Sequence, residues 1–305
     1  MRLLGKLSAA GAGVALVLAG AAPAAADPLG DLWDSLNLPG PAPVIELPEI
    51  PVPPNGSEGL LPPAPQAPPA PPAPSAPQPP VATPQTNQVI GEFTTSGFAA
   101  DSGVNIRRVA EQVNGAVVAP GAVFSLNGYT GPRGTAQGYI EAGVISNGRP
   151  GKAIGGGISQ FATTLFNASY FAGMQDVEHH EHSYYISRYP AGREATVWQG
   201  VLDVKFRNTS PNSVRIEAFA NASSVTVRII GTKTVNVESV NGGRWNYTQP
   251  GTITLAAGPN CIPTNGSPGF TTSDTRIIRN AGTGAEISRN TRTVVYDPLP
   301  TVYCR

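Results

Sequence analysis

Apolar positions along the chain repeat with two different periods, and the change of period divides it. Ile106, Val109, Ala110 and Val113 recur at helical spacing. They predict a helix over 104–113, with Ser102 as its cap and Asn114-Gly115 as its stop. Phe161, Leu165, Ala168 and Ala172 repeat the pattern, widened by Ala162 and Phe166. They predict a second helix, which Gly173 ends. After the histidines, 183–188 reads as a strand, and from about 201 the period shortens to two. Stretches 201–207, 214–219 and 225–230 alternate and predict strands joined by Asn- and Ser-rich turns. Farther on, 276–279 and 291–296 flank a glycine-containing turn at 281–285 and predict a long hairpin. Helices dominate the first half and strands the second, so the expected fold class is α+β.

Two earlier stretches follow neither period. Residues 7–22 are apolar and uncharged, Arg2 and Lys6 precede them, and Ala24-Ala25-Ala26 follows. This predicts a secretory signal peptide over 1–26, cleaved after Ala26. No later run is as long and apolar, so the mature chain is expected to be exported without a membrane span. Twenty of the 32 prolines lie within 27–85, many in Pro-Ala or Pro-Pro steps. Such a segment reads as an extended, disordered linker. Its local exception is Leu29, Leu32, Trp33 and Leu36, a short amphipathic set. The globular part is then expected over 86–233, with a β-rich extension over 234–305.

Charge narrows the partners. The formal net charge is zero, which gives no support for a nucleic-acid or acidic-membrane partner. An exported chain with two cysteines, Cys261 and Cys304, predicts one disulfide closing the extension.

The candidate chemistry centres on Gly155-Gly156-Gly157-Ile158-Ser159-Gln160. Three glycines permit a tight turn and a close approach, and Ser159 falls where the second helix begins. All three histidines, His179, His180 and His182, follow soon after. A glycine turn, a hydroxyl at a helix start and a histidine cluster suit an acyl-transfer site. The plainer role for Ser159 is a helix N-cap. If extended, Glu178, His180 and His182 share one side, which is the alternative of a metal set; no further ligand motif accompanies them, so neither metal nor cofactor is expected. The triplet is not a phosphate loop, since no Gly-Lys-Ser/Thr follows.

An ordered series of motifs carries a family resemblance. It runs Val118-Ala119-Pro120-Gly121, Phe124-Ser125-Leu126-Asn127, Gly131-Pro132-Arg133, Gly138-Tyr139, the glycine triplet with Ser159-Gln160, Thr164-Leu165-Phe166-Asn167-Ala168, His180-x-His182-Ser183 and Tyr189-Pro190-x-Gly192-Arg193-x-Ala195-Thr196-Val197. Over about 100–232 this resembles the VanW domain. The resemblance implies a bacterial cell-envelope protein acting on or binding peptidoglycan stem peptides. It also implies a possible L,D-transpeptidase-like activity, for which family members use a cysteine in Gly-Gly-Gly-x-Cys-Gln. Position 159 is Ser here. A serine hydroxyl is too weak an acid for the helix dipole alone to activate, so it needs a base in direct contact. His182 is the candidate base, with His180 next. Glu178, Glu181, Glu194 and Asp203 are the candidate orienting acids. Arg133 would hold a substrate carboxylate. Gly156, Gly157 and Gln160 would surround the reacting group with amide donors.

Overall fold

A computed structural model describes residues 88–305 except 147, 259 and 260. The expected signal segment, the linker and the Leu29–Leu36 set lie outside the described residues. Among those described, no helix is long and apolar enough to cross a membrane.

The core forms around one antiparallel sheet and two helices. Strands β1 (Gln88–Ser96), β2 (Val117–Val118), β8 (Val214–Ala220) and β9 (Ser224–Gly231) pair in the order β1-β9-β8-β2. Alternation along β8 buries Val214, Ile216 and Ala218, and β9 adds Val225, Val227 and Ile229. Helix α1 (Ala100–Val113) sends Ile106, Val109 and Val113 onto this face. The cap differs from the expected one. Ala99 is the N-cap, and Ser102 is a buried residue inside the helix.

The central helix, which we call α3 (Ile158–Phe171), is buried on nearly all sides, as its mostly apolar circumference requires. Phe161, Leu165 and Ala168 are fully buried against β1 and β9. Gly91 in β1 permits that approach: a Cβ there would stand 2.3 Å from the Ala168 carbonyl oxygen. Gly173 takes a positive φ of 80° just past the helix end, as expected of a terminating glycine.

Between these elements lie β3 (Val123–Ser125), the short α2 (Leu126–Thr130), the β4 (Glu141–Ser146)–β5 (Arg149–Ile154) hairpin, β6 (Gln175–Glu178) and β7 (Lys205–Arg207). β3, β7 and β6 form a separate small sheet. Sequence pattern did not indicate α2; Ser125 caps it by accepting from the Gly128 amide at 2.8 Å. The strand expected over 183–188 does not form. Tyr189 N–H turns back to the Ile186 carbonyl, and the Ser183 carbonyl accepts from the Asp297 amide instead of a neighbouring strand. Tyr184 and Tyr189 face inward from a turning segment, not from a ladder.

The extension comprises two sheets. β10 (Val235–Thr248), β13 (Gly269–Asn280) and β14 (Glu286–Tyr296) pair in the order β10-β13-β14, and the expected hairpin is β13–β14. β11 (Thr252–Leu255), β15 (Leu299–Cys304) and β12 (Thr264–Ser267) make the second, with β11 parallel to β15. The Cys261–Cys304 disulfide closes it.

Polar contacts hold the extension on the first half. Arg276 donates to the Met174 carbonyl at 3.0 Å and to the Tyr170 carbonyl at the C-terminal end of α3, where a cation also meets the negative end of the helix dipole. The Tyr170 hydroxyl donates to Asp274 at 2.5 Å. Arg193 lies 3.4 Å from the other Asp274 oxygen, and Arg292 pairs with Glu181 at 2.6 Å. The Gly192 amide donates to the Tyr296 hydroxyl at 3.0 Å.

Candidate functional site

The glycine triplet is fixed by a buried amide side chain. Asn105 of α1, fully buried, donates to the carbonyls of Ile140 and Gly156 at 2.9 Å each and accepts from the Ile140 amide. This draws the triplet against the β4 backbone. A Cβ at Gly156 would stand 2.2 Å from the Ala142 carbonyl oxygen, and one at Gly157 would stand 2.5 Å from Ser102 Cβ. Gly155 and Gly157 also hold positive φ of 79° and 88°. Each of the three positions therefore excludes a side chain for a stated reason.

Gly157 is the N-cap of α3, which places Ser159 within the first turn and not at the cap. The Ser159 side chain caps nothing. Its oxygen accepts from the Val197 amide at 3.3 Å and shares a 3.1 Å hydrogen bond with the Thr196 hydroxyl. Four residues on, Thr163 exchanges hydrogen bonds with both backbone groups of Ala195 at 2.9 and 3.0 Å. Four further, Asn167 donates to the Arg193 carbonyl at 2.8 Å and accepts from its guanidinium at 2.6 Å. Ser159, Thr163 and Asn167 thus form one polar stripe at i, i+4 and i+8. It fastens the extended 193–197 segment along the helix, and Ser159 is its first rung.

That segment carries Glu194, whose carboxylate lies 2.7 Å from His182 Nδ1; both side chains are buried. An ionised carboxylate only accepts, so Nδ1 carries the proton and Nε2 of a neutral imidazole keeps its lone pair. Nε2 has no protein partner among the described residues. The His182 ring stacks on Tyr189 with centroids 5.6 Å apart. Of the four candidate acids, Glu194 is the one bonded to His182. Glu178 takes His180 and Lys205, Glu181 takes Arg292, and Asp203 takes Ser125 and the Asn127 amide.

Ser159, His182, Arg133, Gly156, Gly157 and Gln160 all line one cleft of about 610 Å³, a size suited to a small ligand or a short peptide. Its walls are the β4–β5 hairpin on one side and the 184–189 segment on the other. Ser159 and His182 share the space without bonding each other. His180 does not line it. That ring is partly exposed and lies 3.2 Å from Glu178. His179 is buried elsewhere, stacked on Phe166 at 4.0 Å. Three histidines therefore occupy three environments, and the Glu178-His180-His182 metal set does not assemble. Residues 179–182 are not in a strand. No group of three metal-ligating side chains is placed to hold an ion among the described residues.

Arg133 is 9% exposed and donates to Thr130 at 2.9 Å and to the Asn127 side-chain oxygen at 2.6 Å. Burial lowers its pKa, opposed by the pull of Tyr139 and Asp203. Tyr184, also buried in the wall, has its hydroxyl pushed up to about 12 by burial. Gln160 donates to the Ser96 carbonyl at 3.0 Å, and its buried side-chain oxygen has no partner. The Gln160 amide already donates to the Gly157 carbonyl at 2.9 Å and is not free to hold an oxyanion. The Ser159 amide, in the first turn, belongs to the set a helix leaves without an i−4 partner.

The model of the VanW like protein family matches residues 101–230. Over that range the chain is similar to the VanW-like family. A curated relative, the uncharacterized protein YoaR of Bacillus subtilis (strain 168), is 32% identical over 156 residues, 51% of this chain and 51% of that protein. The chain thus spans about half the length of that relative. No solved structure matches the chain. Every residue that forms the stripe and the His182–Glu194 pair falls inside the matched range, and of the cleft's lining residues only Phe98 and Ala99 lie outside it. Asn105 was not singled out from sequence, and Tyr189 and Thr196 entered only as members of the motif series, without a role in the site. The i, i+4, i+8 run of Ser, Thr and Asn was the available signal for the stripe.

Proposed function

We propose that this is an exported cell-envelope protein whose VanW-like cleft binds peptidoglycan stem peptides and holds them without turnover. The observation that carries the binding reading is the state of Ser159. Its hydroxyl serves the stripe, bonded to Thr196 and Val197, and no base contacts it. A serine nucleophile depends on that contact. The envelope assignment draws on the likeness to the VanW-like family and on the apolar leader and proline-rich stretch of the sequence.

A second reading is favoured by the His182–Glu194 pair, which has the form of a base with its orienting acid. In that reading Ser159 Oγ turns from Thr196 to His182 Nε2 and attacks a stem-peptide carbonyl. His182 takes the hydroxyl proton and returns it to the departing amine. An acceptor amine or water then releases the acyl group from Ser159.

Incubating the full chain with muropeptides and resolving products by mass spectrometry separates the two. The binding reading expects ligand retention and no new species from the native protein. Cross-linked or hydrolysed species that disappear in Ser159→Ala would establish the enzyme instead. Ser159→Cys extends the test, because a thiol at the helix start is far more acidic than a hydroxyl. Turnover gained only in that variant would show a binding cleft that retains the layout of a catalytic one.

A further inference from the structure

The charge around the cleft is one-sided. Among its lining residues none is Asp or Glu, while two are arginines, Arg133 and Arg188. Arg133 is almost wholly buried, yet both of its hydrogen-bond partners, Thr130 and Asn127, are neutral. No carboxylate lies within ion-pair distance of it among the described residues. Asp203 acts on it without direct contact, with its own oxygens given to Ser125 and to backbone amides. A buried guanidinium without an anion is costly, and a ligand anion relieves that cost. Arg188 stands exposed beside the cleft with its guanidinium 5.1 Å over the Tyr189 ring, which also stacks on His182. It too has no acidic partner among the described residues. The rest of the wall mixes neutral polar side chains such as Ser187, Thr196 and Gln199 with apolar and aromatic ones, including Phe98, Ile145, Tyr185 and Trp198, which suits a chain with side groups better than a bare inorganic ion.

We propose that the cleft selects its peptide by a free carboxylate, drawn in by Arg188 and anchored by Arg133, and rejects the corresponding carboxamide. This rests on the peptide-binding reading above and names the chemical end that the cleft recognises. A guanidinium fits a carboxylate through paired N–H donors, and such charged bonds are about twice as strong as neutral ones. A carboxamide offers one oxygen and brings its own donors toward Arg133.

The test is calorimetric titration of the full chain with one stem-type tetrapeptide made as the free acid and as the C-terminal amide. The free acid should bind about tenfold tighter or more, a difference of about 1.4 kcal/mol. The gap should narrow in Arg188→Gln and as salt is raised. Arg133→Gln should abolish it, but that side chain is buried and its variant needs a folding check. Arg188 is exposed, and the acid–amide comparison on the unaltered protein needs no variant. Equal binding of the two forms overturns this inference and leaves the peptide cleft standing. Failure of both forms to bind overturns the peptide reading and the inference together. Displacement of the peptide by millimolar inorganic phosphate would reveal a general anion site and overturn selection for a carboxylate.

Discussion

Asp274→Ala lowers stability by about 3–5 kcal/mol, the cost of removing one partner from a buried charge pair. Asp274 is buried and accepts from Tyr170 and Ser239, while Arg193 stands 3.4 Å away. It is the point where β13 meets the end of α3 and the segment bearing Glu194. Burial and the Asp274 carboxylate together push the Tyr170 hydroxyl well above its ordinary pKa, so this hydroxyl stays a donor at any physiological pH. Without the carboxylate, Arg193 keeps Asn167 but loses its one ion-pair partner. Urea unfolding with hydrogen exchange checks the claim. The 235–305 strands should lose protection first, followed by 192–197. Exchange unchanged across the extension would show that the two halves hold together by other means.

The Cys261–Cys304 bond should account for most of the stability of the small β11-β15-β12 sheet. The two cysteines are 43 residues apart, and closing a loop of that length is worth about 4 kcal/mol in the chain-entropy model. The sheet has little else. Along its three strands Val302 is the one buried residue, so apolar burial cannot replace the link. Reduction, or the paired Cys261→Ser and Cys304→Ser change, should release amide protection in these strands while β13 and β14 keep theirs. A sheet that stays protected after reduction would contradict this account.

Much of the fold could be read from periodicity. Ile106 to Val113 and Phe161 to Ala172 buried the faces their spacing assigned, and β8, β9 and the β13–β14 hairpin followed their alternation. The 183–188 segment misled, because its strand-favouring aromatic and branched residues lie on a turning backbone whose groups bond locally and to Asp297. The site was legible in its membership more than in its wiring. Ser159, His182 and Arg133 do share a cleft, whereas His180 stays outside it. The hydroxyl's true partners come from 193–197, a stretch whose placement along α3 depends on three side chains one turn apart. Arg133 gave no sign in sequence that it would be buried among neutral groups. That follows from the packing of α2, which apolar pattern did not reveal.

The most direct test of the peptide-binding cleft uses the three histidines as reporters in separate places. Imidazole nitrogen spectra, assigned with single His→Gln variants, would be followed while a stem-type peptide is added to the full chain. The His182 signals should shift saturably with ligand, and those of His179 and His180 should hold still. A peptide that binds while His182 remains unmoved would place its site elsewhere and contradict the account.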